Sequence, residues 1–381
     1  PSTRLADASP AWTPKMSPAV QVTGTGHDAR WPDVAYDARY DYYLVVWKGD
    51  KNIWGRIVDG RGEVRGSVFE IASSPTAHLG RPRAAYDTKR NRYLVIWGRA
   101  DGLGYQMYGR FVPWDGPDSS LTPFTIDTSK PAQTEVYALA YASVVDEFLI
   151  VWVTESSGTT WDAVAGRRVK GGGGFAAGTF VIAAGSGDNR SNPDVAYNAQ
   201  RNQYLVTYDD YPKANENIYG KRLSATGTTM GVGEFLIAAW PGDEIDPAVA
   251  SCPGTDQYLV GWHGFPTTGG DGLWARLVSG LGDPGSMVPL DEFDSWEYHR
   301  PLDIGCGVTE LEMETPRYVT TWGINFEREG ANWAREVRTN GTLSEKLHLG
   351  NYTGGAAVTG GAINHIHRHT RGRKLHDRLC L

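Results

Sequence analysis

Trp31-Pro32-Asp33-Val34-Ala35-Tyr36-Asp37, Tyr43-Leu44-Val45-Val46-Trp47, Ile53-Trp54-Gly55-Arg56-Ile57-Val58 and Phe69-Glu70-Ile71-Ala72 are four short phrases that the chain goes on to repeat. They return as Ala84-Ala85-Tyr86-Asp87, Tyr93-Leu94-Val95-Ile96-Trp97, Met107-Tyr108-Gly109-Arg110-Phe111-Val112 and Phe124-Thr125-Ile126. Trp47, Trp97, Trp152, Tyr208, Trp262 and Trp322 close the second phrase, at steps of 50, 55, 56, 54 and 60 residues. Arg56, Arg110, Arg167, Lys221, Arg276 and Arg335 mark the third, at steps of 54, 57, 54, 55 and 59. Both markers count six repeats.

Each phrase is rich in Val, Ile, Tyr and Trp and bounded by Gly, Asp, Asn or Pro, the signature of short strands joined by turns. The 47 Gly and 21 Pro among 381 residues suit so turn-rich a chain. A four-stranded sheet of this length cannot bury both its faces alone, and stacking six of them radially does so while leaving few exposed edges. The expected fold is therefore all-β: a β-propeller of six four-stranded blades over 31–349, with a seventh blade as the alternative count. A linear solenoid would need atypical capping repeats at both ends, and the terminal repeats look like the rest.

The ends stand apart. Within the arm 1–30, Ala19-Val20-Gln21-Val22 precedes Pro32 at the spacing that separates Phe69 from Pro82, so it reads as an extra strand of the fourth type. The last repeat already has a candidate fourth strand, Leu343 to Leu349, which leaves one strand surplus. It can widen a blade, begin a partial seventh blade with 352–363, or pair with a neighbouring molecule. The segment 350–381 is Gly-rich and then basic. With an overall charge of −7, its +4 C-terminal stretch leaves −11 on the rest, so the tail has an acidic partner in its own body.

The recurring phrases resemble the tandem repeats of secreted bacterial β-propeller proteins of poorly defined function. That resemblance implies an extracellular or cell-surface location and transfers no catalytic residue. The opening Pro1-Ser2 without Met fits a removed leader or pro-segment, or a numbering that starts at the mature end. No apolar run approaches a membrane span, and the acidic body does not suit nucleic acid.

Candidate chemistry lies off the repeat register. Trp31, Trp240, Trp296 and Tyr298 fall in fourth-to-first connections and Trp161 in a second-to-third connection, which emerge on the same face of a propeller. Asp188, Asp210, Glu216, Asp243, Glu244, Asp246 and Asp271 should share that face. Trp rings stack on sugar faces while carboxylates accept hydroxyl hydrogen bonds, so a glycan site is one reading and packing against loops the other. Gly158-Thr159-Thr160-Trp161 matches only the end of a sialidase Asp-box, with Thr154 and Ser156 at its other positions. The six basic residues of the third phrase each follow a small residue, as a structural cation would if packed over a neighbouring Trp or paired with an acid; a ring clasping a polyanion is the alternative.

His365, His367 and His369 alternate, so in an extended strand they share one side, as a metal site needs; the interleaved Arg residues favour a basic arm instead. Cys252 and Cys306 each follow a Pro by five residues in successive repeats and either bridge or remain free thiols. Cys380 is then left over. Asn189-Arg190-Ser191, Asn340-Gly341-Thr342 and Asn351-Tyr352-Thr353 match the glycosylation pattern. No cofactor is implied. The sequence thus reads as a non-catalytic extracellular structural or adhesive module. Filament assembly would run through its ends, using Val20, Val22, Arg368, Arg371, Arg373 and Cys380. The alternative is a carbohydrate-binding or carbohydrate-active propeller working from its Trp-bearing face, and the partners are accordingly itself or a cell-surface glycan.

Overall fold

The computed structural model describes residues 19–23, 29–101, 104–127, 136–155, 161–184, 189–210, 215–266, 271–292, 298–299, 302–308, 316–326, 329–353, 366–367 and 378–379. It is an all-β propeller of six blades, each an antiparallel sheet whose strands follow chain order. Blade 1 comprises Arg30–Asp37, Tyr42–Lys48, Asn52–Asp59 and Val64–Ser73. Blade 2 comprises Arg83–Asp87, Arg92–Asp101, Gly104–Pro113 and Phe124–Asp127, blade 3 Tyr137–Ala142, Glu147–Glu155, Trp161–Lys170 and Phe180–Ala184. Blade 4 comprises Ser191–Asn198, Gln203–Asp209, Ile218–Ser224 and Thr229–Ala238, blade 5 Gly242–Ser251, Gln257–Pro266, Gly272–Ser279 and Pro284–Glu292. Blade 6 comprises Asp303–Val308, Pro316–Phe326, Glu329–Arg338 and Leu347–Thr353. Short strands His78–Leu79 and Tyr298–His299 extend the inner edges of blades 2 and 6. Among the described residues no helix is long and apolar enough to cross a membrane.

The repeated phrases have local causes. In blade 1 the Asp37 carboxylate accepts the N–H groups of Arg39 and Tyr40 at 2.8 and 3.2 Å, which folds the first turn. Asp41 closes that turn at φ 58°, and its side chain accepts the Tyr36 hydroxyl at 3.2 Å. Asn91, Asp146 and Asn202 do the same for Tyr86, Tyr141 and Tyr197. Short polar side chains tolerate this left-handed conformation, which explains the Asp or Asn at the end of these four turns. The second strand is buried on both faces, and Trp47, Trp152 and Trp262 are fully enclosed between blades.

The third-strand cations join blade to blade. Arg110 Nη1 donates to the carbonyl of Ile71 at 2.8 Å, on the last strand of the preceding blade, and Arg335 Nη1 to that of Leu290 at 2.8 Å. Arg167, Lys221 and Arg276 reach the carbonyls of Ile126, Ile182 and Ile237 in the same way. These cations are therefore structural, but their shared partner is a backbone carbonyl one blade back rather than the neighbouring Trp or the turn acid that the sequence suggested. The small residue before each cation has a steric origin. A Cβ on Gly55 would lie 2.8 Å from Phe69 and one on Gly166 2.7 Å from Ile182, both on the adjacent fourth strand.

Arg56 of blade 1 has no earlier blade to hold, and its Nη1 donates to the Val22 carbonyl at 2.9 Å. Val22 packs on the Tyr36, Tyr43 and Val58 cluster, while Val20 stays exposed. Ala19 to Val22 therefore takes the seat of a preceding blade's outermost strand, without ladder pairing among the described residues. The last fourth strand runs Leu347–Thr353, later than the expected Leu343 to Leu349, because Leu343 is spent on an isolated bridge to Val337.

Cys252 and Cys306 are bridged, with Cα atoms 5.2 Å apart, and tie blade 5 to blade 6. They are not in equivalent register: Cys306 stands opposite Tyr318, whereas the residue opposite Tyr258 is Ser251. The extra residue of blade 6, Leu302, is buried in the same core cluster as this disulfide.

Trp152→Ala removes a fully buried ring and should cost about 3–5 kcal/mol in urea unfolding. Arg167→Met should cost about 1.5–3 kcal/mol, the loss of one charged hydrogen bond, with the blade core unchanged in near-ultraviolet circular dichroism. Replacing both bridged cysteines with Ala should cost about 4 kcal/mol, because a closed loop of some fifty residues is released from the unfolded chain.

Candidate functional site

The first strands line the central channel, and ladder register identifies the six equivalent positions that face it. Asp33, Arg83, Ala138, Asp194, Ala248 and Asp303 each pair with the residue just before the register aromatic of the second strand. Asp33 Oδ2 accepts the N–H of Ala84 at 2.7 Å and Asp194 Oδ2 that of Val249 at 2.7 Å, each in the next blade. Burial pushes both carboxyls up to about 6, against the opposing pull of Arg83. These acids stitch the channel wall.

Two residues earlier, at the mouth, stand Trp31, Arg81, Asn192 and Asp246, each followed by Pro. Trp31, Asn192 and Asp246 have φ of 49°, 45° and 53°, and the strand register shifts at each. Left-handed backbone before Pro is costly for any of these residues, and the bulge holds it in place. The effect is to turn three unlike side chains out of the blade at the rim of the channel.

One side of the rim is cationic. Lys48 Nζ lies 4.6 Å and the Arg81 guanidinium 5.0 Å from the centroid of the half-buried Trp31 ring. Lys48, itself buried, also lies 2.7 Å from His78 Nε2. The other side is acidic. The buried Asp209 accepts Asn192 Nδ2 at 2.8 Å and the Asp246 N–H at 3.0 Å through one oxygen, while its Oδ1 has no partner. Burial pushes Asp209 up to about 7, with Asp246 and Asp210 adding repulsion. Burial also raises Asp246, against the attraction of Arg81.

Of the remaining aromatic candidates, Trp240 does not join this rim. Trp240 stacks edge-on against Trp274 of a third strand, with centroids 4.7 Å apart, and its backbone N–H donates to the Glu244 carboxylate at 3.1 Å. Glu244 N–H in turn donates to the Glu216 carbonyl at 2.9 Å, and Glu216 N–H to Asp243 at 3.2 Å. Trp240 and Asp243 thus pack connecting loops. Burial pushes Glu216 and Glu244 up to about 7. Trp161 begins a third strand opposite Glu155 and Tyr298 lies in a short inner-edge strand, with neither side chain described. Trp296, His365, His369, Arg368, Arg371, Arg373 and Cys380 lie outside the described residues, and of His367 only the backbone strand is described. Among the described residues no group of His, Cys, Asp and Glu is arranged to hold a metal. Sequence reasoning missed Lys48, His78, Arg81 and Asp209; the Pro after Arg81, repeated from Pro32, was the available signal.

No family model matches the sequence, and no curated protein does so at a significant level. Solved structures are similar in fold. A polysaccharide lyase described as an ulvan lyase of family PL25, bound to -[GlcA(1-4)Rha3S]-, superposes with a TM-score of 0.54 at 11% identity, over 84% of this chain and 86% of that one. A second structure of that lyase family gives a TM-score of 0.52 at 11% identity with the same coverage. Chaetomium thermophilum Raptor matches at a TM-score of 0.49 and 12% identity over 84% of this chain. The chain spans only 25% of Raptor and 50% of a matched prolyl endopeptidase. At these identities the likeness is one of fold.

A carboxyl raised in the folded state favours its neutral form there. Its stabilising contribution is complete below the ordinary carboxylate range and is lost as pH rises through its folded value. With Asp33 and Asp194 at about 6 and Asp209, Glu216 and Glu244 at about 7, the melting temperature should fall between about pH 5 and pH 8. Asp209→Asn should flatten that slope in a calorimetric pH series.

Proposed function

We propose that this propeller is a non-catalytic, extracellular adhesive module that binds an acidic cell-surface glycan at its channel mouth. The observation that carries the reading is the gathering of Lys48, His78 and Arg81 around Trp31 on one wall of the rim. A sugar carboxylate or sulfate accepts charge-assisted hydrogen bonds from such a group, while the indole edge offers the apolar contact that a pyranose ring needs. On the opposite wall Asp246 and Asn192 supply acceptors and a donor for hydroxyl groups. Distinct walls make the site directional: the charged end of the sugar goes to Arg81 and the hydroxyls to Asp246. A structure of similar fold, the lyase described as bound to -[GlcA(1-4)Rha3S]-, supports the reading, since that saccharide carries a uronic acid.

Isothermal titration with uronic-acid or sulfated polysaccharides, set against neutral glucans, tests the proposal. Binding should be confined to the acidic polymers, weaken with salt, and fall at least about tenfold in Arg81→Gln, the loss of ~1.5–3 kcal/mol expected for a charged hydrogen bond. Trp31→Ala should weaken binding with an unchanged melting temperature. Equal affinity for neutral glucans, or depolymerisation of the bound polymer, would overturn it.

A further inference from the structure

Arg81 is held at the channel mouth by a different device from its neighbours. Trp31, Asn192 and Asp246 are turned out by left-handed backbone ahead of a proline, whereas among the described residues Arg81 has no such φ. Gly80 precedes it and brings no side chain of its own to anchor the segment. The anchor comes from the next blade. One residue before the channel position, blades 1, 2, 4 and 5 carry Pro32, Pro82, Pro193 and Pro247 and blade 6 carries Leu302, but blade 3 carries Tyr137. Its ring is buried, and its hydroxyl donates to the Arg81 carbonyl while accepting the Gly98 N–H at 2.9 Å. The Gly98 carbonyl in turn accepts the Gly80 N–H at 2.8 Å. A circuit of hydrogen bonds therefore runs from Gly80 and Arg81 through Gly98 to Tyr137 and back, across the junction of blades 2 and 3. A prolyl ring or a leucine side chain at that position can form neither of the hydroxyl's two bonds.

We propose that Tyr137 is the positioning residue of the mouth site: its hydroxyl, reaching over from blade 3, fixes the backbone from which Arg81 extends beside Trp31. Being buried, Tyr137 touches no ligand itself. Its influence passes through Arg81, whose guanidinium lies 5.0 Å from the Trp31 ring centroid and attracts Asp246 on the acidic wall. A guanidinium bonds a carboxylate or sulfate through two parallel N–H groups, so a small displacement of its backbone spoils the fit at both. Removing the hydroxyl takes a partner from the Arg81 carbonyl and from the Gly98 N–H at once, and the segment between Gly80 and Pro82 relaxes. The effect on affinity rests on the acidic-glycan reading; the hold on Arg81 does not.

Tyr137→Phe tests the proposal in the full chain, since it removes one oxygen and keeps the buried ring. Without ligand, the rate at which phenylglyoxal modifies Arg81, followed by peptide mass spectrometry, should rise about threefold or more in this variant, while the rates at Arg110 and Arg335 stay unchanged. Titration with a polyuronate should show affinity falling about fivefold in Tyr137→Phe and falling no further when the same change is added to Arg81→Gln. A residue that merely stiffens blade 3 would weaken Arg81→Gln by the same factor again, and that result would overturn the proposal. Unchanged Arg81 reactivity would overturn it as well. If the unaltered protein binds no polyuronate, the glycan reading fails, and the reactivity of Arg81 alone decides whether Tyr137 positions it.

Discussion

The hydrogen bond from a third-strand cation to the outermost strand of the preceding blade is the constraint around which this fold is organised. Hydrophobic contact between blades is strong but non-directional, and it does not fix how far one sheet slides along the next. A guanidinium aimed at one carbonyl does fix it. Arg110 on Ile71 and Arg335 on Leu290 set the stagger, and the enclosed tryptophans then meet in register. The glycine before the cation belongs to the same device, since Phe69 and Ile71 press on Gly55 where a side chain would stand. Blades 5 and 6 manage with Ala275 and Ala334, both enclosed.

That stagger also builds the site. Because each first strand is held at the same height, residues equivalent in sequence form levels around the channel. The lower level carries Asp33, Asp194 and Asp303, whose carboxylates serve the wall; the upper carries Trp31, Arg81, Asn192 and Asp246, which serve the opening. At Trp31, Asn192 and Asp246 the proline that follows and the bulge beneath rotate the side chain off the blade. Charge then separates across the channel, with cations over blades 1 and 2 and carboxylates over blades 4 and 5.

Much of the architecture was legible because the repeat states it six times. Tyr36 with Asp41, and Tyr86 with Asn91, show why the phrases recur: each Tyr needs a left-handed turn residue to receive its hydroxyl. The site was harder to read because it depends on which positions face inward at the mouth. Trp240 looked like a partner of Trp31 by connection type, yet it sits over a third strand, far outboard in the blade order. Lys48 ends a second strand and resembles an ordinary surface charge until the register puts it opposite Arg30, beside Trp31. The partner of the third-strand cations was equally invisible, since a backbone carbonyl carries no sequence signature.

The left-handed residues ahead of the prolines have an evolutionary consequence. At Trp31, Asn192 and Asp246 the backbone shape is imposed by the bulge and the ring that follows, and the same seat holds an indole, an amide and a carboxylate. The inter-blade stagger set by the third-strand cations does not read the identity of that side chain, although Asn192 is held by Asp209. Such a seat can drift freely while the scaffold stays fixed, and a single exchange there rewrites the chemistry of the opening. Gene duplication of a chain like this one would therefore yield a set of propellers identical in their walls and divergent at their rims.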